Sequence, residues 1–466
     1  MRAKAYPKKT RFLVWGYGVT GRALVETLAS RGYTITVVEE SPESKFAPYA
    51  EDVARQKKSG VTFHFGKIRN FEELLRKEAD VLSPSPGIKL SPQLLKFCED
   101  AKIQVAGEIE IASRMVSGKI IAVTGTDGKT TTSTLIHHIL TSAGIESHLA
   151  GNIGTPFISL AGNTRPEHWL VVEVSSYQLE TVRLFRPHIA VLLNIAEDHL
   201  ERHGEMRIYV RVKGNIFNKQ RPEDHAIVNF DDPMSLQAYG MAKSKLHGFT
   251  LAGPIPDGAF RNNGNLMFNN GEEDKIICGI DELKIMGEHN QLDALASAFA
   301  AHLAGCPVEE IGKALRTFEG LPHRIEKIAD INEVAWVNDS KATNVHSTIS
   351  ALKTFERPVI LLLGGYEKGL DINELIPYLY RHTKHVVLLG DTRNRFKKAL
   401  KDNGFENITM RKTLQEACAA AFNLAEPGDA VLLSPASSSF DQFKNYEERG
   451  DLFRRWVIKK SGRKEQ

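Results

Sequence analysis

The run Lys119-Ile-Ile-Ala-Val-Thr-Gly-Thr-Asp-Gly-Lys-Thr-Thr131 constrains this chain more than any other segment. Its apolar start suits a buried strand, and Thr132-Ser-Thr-Leu-Ile-His-His-Ile-Leu140 carries a helical pattern, so the turn between them joins strand to helix. The amides of Gly125, Thr126, Asp127 and Gly128 in such a turn can face phosphate oxygens. Lys129 then adds a mobile positive charge, Thr130 a candidate magnesium ligand and Thr131 a further hydroxyl. Val123 stands where the common GxxxxGK[ST] loop has its first glycine, so the spacing is tighter than that pattern. The competing reading is a plain glycine turn with an exposed lysine.

A chain of 466 residues exceeds one ordinary core and favours about two to four domains. With 42% hydrophobic and 25% charged residues it has ample material for buried cores. The net charge of +3, with no aromatics interleaved in basic runs, argues against a nucleic-acid partner. Cys98, Cys278, Cys306 and Cys418 lack metal-ligand spacing and read as reduced structural thiols. No apolar run approaches the ~18 residues of a membrane span, and the amino end lacks a signal-peptide core, so a cytoplasmic protein without membrane insertion is expected.

Three α/β units follow along the chain. Phe12-Leu-Val-Trp-Gly-Tyr-Gly-Val-Thr-Gly21 reads as strand, glycine turn and helix, with Glu39 or Glu40 where a ribose-binding acid would sit. Ser83-Pro-Ser-Pro-Gly87 reads as a rigid loop at a strand end, where open α/β sheets bind ligands; a plain turn is the alternative. After the central unit, with its helical Gly287–Leu303 stretch, strand and helix patterns restart beyond Leu321-Pro-His-Arg324. The expected architecture is α/β, with Rossmann-like end domains flanking a central, mostly parallel P-loop-type sheet. Its boundaries fall at 1–106, 107–321 and 322–466. Clefts between such units suggest closure as a way to exclude water.

Glu173 ends the hydrophobic strand Trp169-Leu-Val-Val-Glu173 and can hold magnesium beside Thr130. In Asn194-Ile-Ala-Glu-Asp-His199, the histidine can ligate a second cation with Asp198 orienting it, or the segment is a satisfied polar turn. By its residues alone, Lys213 reads as an exposed helix lysine.

Taken together, Gly125-Thr-Asp-Gly-Lys-Thr-Thr, Glu173-Val-Ser-Ser-Tyr-Gln-Leu-Glu, Asn194-Ile-Ala-Glu-Asp-His-Leu-Glu-Arg-His-Gly and Gly287-Glu-His-Asn-Gln-Leu resemble the Mur ligase family of ATP-dependent amide-forming enzymes. Leu321-Pro-His-Arg, Asn338-Asp-Ser-Lys-Ala-Thr-Asn and the Ser434–Gly450 segment resemble the branch that joins D-glutamate to UDP-N-acetylmuramoyl-L-alanine in peptidoglycan precursor synthesis.

The resemblance implies roles. Tyr17, Val19, Thr20, Ser83, Pro84, Ser85, Pro86, Gly87 and Asn152 would meet the UDP substrate. Asn290, Arg324 and Asp339 would join the phosphate loop around ATP, and Lys341, Thr343, Lys368, Ser439, Phe440 and Tyr446 would meet D-glutamate. Two magnesium sites would draw on Thr130, Glu173, His199 and an N6-carboxylated Lys213, whose Tyr209-Val-Arg-Val-Lys213 segment fits the family's Tyr-x-x-x-Lys. Lys129, Glu173, His199 and Lys213 form the implied catalytic set of a monomer working through an acyl phosphate. Asp127, Asp293 and Tyr366 depart from the family's usual residues. Related ligases adding L-lysine, diaminopimelate or folate-linked glutamate, a nucleotide-binding scaffold without activity, and a nicotinamide oxidoreductase are the rival readings.

Overall fold

The computed structural model describes residues 5–240, 242–367, 369 and 371–462. Lys368 therefore lies outside the described residues.

Five parallel strands form the first sheet: β1 (Arg11–Trp15), β2 (Thr34–Glu39), β3 (Thr62–Phe65), β4 (Val81–Pro84) and β5 (Gln104–Val105), in the order β3-β2-β1-β4-β5. The order reverses between β1 and β4, so the Gly16–Gly18 turn and the Ser85–Gly87 loop border one crevice at the carboxyl ends. Ser83 and Pro84 are strand residues rather than loop residues, because β4 continues its register with β1 through Pro84. Proline fits there because pairing with β5 stops at Leu82, so no neighbouring strand needs an N–H from residue 84.

The second sheet holds β6 (Lys119–Thr124), β7 (Ser147–Gly151), β8 (Trp169–Glu173), β9 (Ile189–Leu192), β10 (His225–Asn229), β11 (Lys245–Thr250), β12 (Asp257–Asn262), β13 (Asn265–Asn270) and β14 (Asp274–Gly279). Its order is β14-β13-β12-β11-β10-β9-β6-β8-β7, parallel except for the pairs β12–β13 and β13–β14. Strand β6 lies between β8 and β9, which sets their carboxyl ends on either side of the phosphate-type turn. The polar stretch from about 225 to 285, patterned weakly in the sequence, supplies the outer five strands.

The third sheet comprises β15 (Glu326–Ile331), β16 (Val334–Asn338), β17 (Val359–Leu363), β18 (Thr383–Leu388), β19 (Ile408–Met410) and β20 (Ala430–Leu433). Its order is β15-β16-β20-β17-β18-β19, with only β15–β16 antiparallel. Strands β16, β17 and β20 are buried on both faces and read as continuous apolar runs, as parallel strands covered by helices must.

The chain divides into two compact units, Met1–Glu282 with Leu292–Arg316, and Leu283–Gln291 with Thr317–Gln466. In the first unit one apolar cluster runs from Phe12 and Val14 through Ile109 and Phe157 to Val172 and Leu192, so the first two sheets share a core. Among the described residues no helix is long and apolar enough to cross a membrane.

Candidate active site

The turn after β6 is held from both sides. Asn194, just beyond β9, accepts from the Asp127 N–H (2.9 Å) and donates to the Asp127 carbonyl (3.2 Å), and its own carbonyl accepts from the Thr126 N–H (2.9 Å). The Thr126 hydroxyl meets the Tyr209 phenol at 3.2 Å and accepts from the Ala196 N–H at 3.0 Å. Gly128 takes a left-handed conformation (φ 80°) and opens the Lys129–Ser142 helix, whose first amides thus face the turn. A Cβ at Gly128 would lie 2.3 Å from Asp293 Oδ1, so glycine is required by space as well as by conformation. Asp293 also accepts from the Thr132 hydroxyl (3.1 Å), so it is an internal support of the loop.

Lys129 folds back, its ammonium donating to the carbonyls of Gly125 (2.9 Å) and Thr126 (2.7 Å). Thr130 donates to Glu173 Oε2 (2.9 Å), and Asn152 donates to Glu173 Oε1 (2.8 Å). Glu173 is only 2% exposed, so these two donors balance a carboxylate that burial would otherwise penalise. Gly151 (φ 112°) leaves room for the close pass of the Glu173 carbonyl, 2.2 Å from where a Cβ would stand. Thr131 is buried with a hydroxyl that has no protein partner.

Lys213 is not the exposed helix lysine its sequence suggests. It is 1% exposed, on the Met206–Gly214 helix, with its Nζ donating to the Gly125 carbonyl at 2.7 Å. Burial holds its pKa well below the ordinary lysine range, and the Lys129 charge adds to the effect. His199 adopts a left-handed backbone (φ 54°) at the start of a short helix. Its ring lies 3.3 Å from Asp198 Oδ2 and 4.9 Å, centroid to centroid, from Tyr177.

Around the first sheet, Val19 is 62% exposed and Thr20 partly exposed at the start of the Val19–Ser30 helix. The Tyr17 side chain turns inward, donating to Asp52 (2.8 Å) and packing edge-on against Phe63. Glu39 accepts from the Tyr17 and Ser41 amides (2.9 Å each), so it shapes the glycine turn. Arg202 donates to the Gly87 (3.4 Å) and Ile88 (3.0 Å) carbonyls while paired with Glu180, which ties the Ser85–Gly87 loop to the His199 segment.

In the second unit the loops after β16, β17 and β20 lie side by side. Arg449 reaches into them from the Tyr446–Ser461 helix, donating to the Ser340 hydroxyl (2.9 Å) and carbonyl (2.8 Å) and to the Ser437 carbonyl (3.0 Å). Its full burial lowers its pKa to about 10. Beside Ser340, the Lys341 ammonium lies 5.9 Å from the Tyr446 ring; Phe440 and Tyr366 form an exposed edge-to-face pair, Ser439 is buried and Thr343 half-buried. Asp339 accepts from Ser434 (2.7 Å) and the Ile325 amide (3.3 Å), and burial pushes its pKa up to about 7 despite the nearby Arg324 charge. Asn290 is buried in the first turn of the Glu288–Leu303 helix and donates to the Met286 carbonyl (2.7 Å).

Three known sequence patterns follow one another along the chain: the Mur ligase MurD-like, N-terminal domain over residues 10–107, the Mur ligase middle domain over 123–301, and the Mur ligase, glutamate ligase domain over 323–437. The UDP-N-acetylmuramoylalanine--D-glutamate ligase of Caldanaerobacter subterraneus subsp. tengcongensis is 37% identical over 453 residues, 97% of this chain and 98% of the relative. This chain belongs to the Mur ligase family. The Geobacillus kaustophilus protein of the same name is likewise 37% identical, over 454 residues and the same shares of both chains. Among solved structures, the MurF ligase of Thermotoga maritima in complex with ADP superposes with a TM-score of 0.59 at 16% identity, covering 98% of each chain. The MurC ligase of Thermotoga maritima gives 0.57 at 16% identity, covering 97% of this chain and 99% of that one. These two likenesses concern the Mur ligase fold.

Asn194, Arg202 and Arg449 shape the site of this Mur ligase with no local sequence pattern of their own. Each acts through backbone groups distant in sequence, and the sequence hint for all three is their place inside a long motif. Glu39, which the sequence offers as a ribose-binding acid, supports the glycine turn through the Tyr17 amide.

Proposed function

We propose that this chain joins D-glutamate to UDP-N-acetylmuramoyl-L-alanine at the expense of ATP, forming UDP-N-acetylmuramoyl-L-alanyl-D-glutamate, ADP and phosphate for peptidoglycan synthesis. The observation that carries the reading is full-length similarity to the D-glutamate ligases, joined to a phosphate-type turn that has Thr130, Glu173, Lys129 and Lys213 around it. Residues 1–106 serve the nucleotide sugar, 107–321 serve ATP, and 322–466 serve the amino acid.

In this reading the substrate carboxylate attacks the γ-phosphorus of ATP and ADP leaves, giving an acyl phosphate. The D-glutamate amine attacks its carbonyl carbon, and the tetrahedral intermediate expels phosphate as the amide forms. Lys129 exchanges its two loop carbonyls for phosphate oxygens, and the helix start behind Gly128 supplies further fixed positive potential. No covalent protein nucleophile is required.

The hydroxyl of Thr130 and the carboxylate of Glu173, in contact with each other, form a hard oxygen pair that fits a magnesium ion. His199 and an N6-carboxylated Lys213 would complete the donors for a second. Bound magnesium offsets the charge of the transferring phosphoryl group. The buried, neutral-leaning Lys213 amine suits carboxylation, since the free base is the form whose lone pair bonds to the carbon of CO2 and then loses a proton. Ser439, Lys341, Thr343 and Tyr446 present hydroxyls and a cation for the D-glutamate carboxylates, and Lys368 is proposed to join them.

Phosphate release measured with UDP-N-acetylmuramoyl-L-alanine, ATP and a panel of amino acids tests this assignment. Turnover is expected with D-glutamate and not with L-glutamate, L-lysine or diaminopimelate. Product formed from L-glutamate alone would reject the stereochemistry, and absence of turnover with every amino acid would favour a scaffold.

A further inference from the structure

At the edge of the central sheet, remote from the phosphate turn, lies a cluster the ligase chemistry does not use. Glu146 precedes β7, His148 is its second residue, and His168 immediately precedes β8. Two geometric rules put all three on one face. Residues 146 and 148 are two apart along an extended chain, so both point the same way. The β7–β8 register pairs Ser147 with Trp169 and His148 with Leu170, and the Trp169 N–H donates to the Glu146 carbonyl (3.0 Å), so His168 stands beside Glu146. The neighbouring Ser147 points to the opposite face, where it meets His137 of the Lys129–Ser142 helix at 2.8 Å.

The facing nitrogens, His148 Nε2 and His168 Nδ1, are 3.0 Å apart, and one donor atom from each of the three residues falls within 4.8 Å of the others. Zinc–nitrogen and zinc–oxygen bonds of ~2.0–2.2 Å set tetrahedral donors roughly 3.3–3.5 Å apart. The two rings thus need to separate by only a few tenths of an ångström, while the carboxylate, on an exposed residue, has freedom to close in. Two imidazoles and a carboxylate are a borderline donor set that suits Zn2+ over Mg2+ or Ca2+. Among the described residues this is the one group of three such side chains with its donor atoms gathered this closely.

We propose that Glu146, His148 and His168 form a zinc site, with water in the fourth position, that fastens edge strand β7 to β8. Coordination replaces the imidazole–imidazole hydrogen bond, and the ring that donated in it moves its proton to its other nitrogen. The carboxyl ends of the same two strands carry Asn152 and Glu173, so the ion pins the amino end of the ladder whose far end reaches the active site. Its role is structural, because the site lies at the opposite end of the strands from the reacting groups.

The test titrates Zn2+ into the full-length protein against a chromogenic chelator, with saturating Mg2+ present, in wild type and in His148→Gln/His168→Gln. Wild type is expected to hold one equivalent more than the double variant, and its melting temperature to rise with Zn2+ while that of the variant does not. Ligase turnover without zinc should be equal in both. Equal stoichiometry and affinity in the two proteins would overturn the site. Should the variant fail to fold, diethyl pyrocarbonate labelling of the wild type decides by peptide mass spectrometry. Zn2+ should slow modification of His148 and His168, and unchanged labelling rates would reject the proposal.

Discussion

At the scale of the residue, burial decides what the ionisable groups do. Lys213 sits in the first unit with a carbonyl as its hydrogen-bond acceptor and a second ammonium, Lys129, close enough to disfavour its charge. Lys213→Ala is expected to lower turnover roughly 100-fold or more, as loss of a metal-organising group does. Added short carboxylic acids should restore part of it, since they replace the missing carbamate oxygens. A merely structural lysine would show no such rescue, and unchanged activity without rescue would sink the carbamate reading. Glu108 is the cleaner probe of stability. Its Oε1 accepts from the Ile158 amide at 2.5 Å, its Oε2 has no partner, and burial raises its pKa from 4.5 to about 7. Between those values the folded state keeps a proton that the unfolded chain has lost, so this group's contribution to stability falls as pH rises and levels off above about 7. In Glu108→Gln that slope should vanish. Urea unfolding should show the variant gaining on wild type, on the order of 3 kcal/mol between pH 4 and 8. A difference independent of pH would show that Glu108 does not titrate in this way.

At the scale of the element, the strand–turn–helix around Gly125–Thr131 works because its neighbours hold it. Gly128→Ala would place a methyl against the Asp293 carboxylate and force alanine into a left-handed backbone. A loss of about 1–3 kcal/mol is expected, read as a lower urea midpoint together with weaker ATP binding by calorimetric titration. Wild-type values for both would mean that the turn relaxes without cost. The strand, turn and helix themselves were legible in the sequence, since β6 is apolar and the glycines, Lys129 and Thr130 fall at informative positions. Two other elements carry a weaker sequence signal. Ser83 and Pro84 looked like loop because two prolines in a row of four residues suggest a turn, yet the pairing of β4 with β1 carries the strand through Pro84. The last two strands of the central sheet, β13 and β14, alternate too weakly for a periodic signal, because much of their surface remains exposed.

At the scale of the whole molecule, the first unit has a core continuous from β1 to β9 with a further cluster on the other face of its first sheet, and the second unit has clusters of its own on the two faces of its sheet. Scanning calorimetry should therefore give a calorimetric enthalpy larger than the van 't Hoff value, the mark of more than one cooperative unit. Equal enthalpies would mean that the chain unfolds as one. Three α/β units, their order, and the motifs that tie them to the Mur ligases were determined by the sequence alone, because strand and helix periodicity and glycine turns are local properties. The tertiary structure decided which of those motif residues are buried. It turned Lys213 inward onto the Gly125 carbonyl, drew Tyr17 away from solvent, and set Asn194, Asp293 and Arg449 as supports under loops far from them in the chain. It also gathered Glu146, His148 and His168 on one face. Burial and long-range contact depend on which strands become neighbours, and that pairing is settled only when whole sheets pack around a shared core.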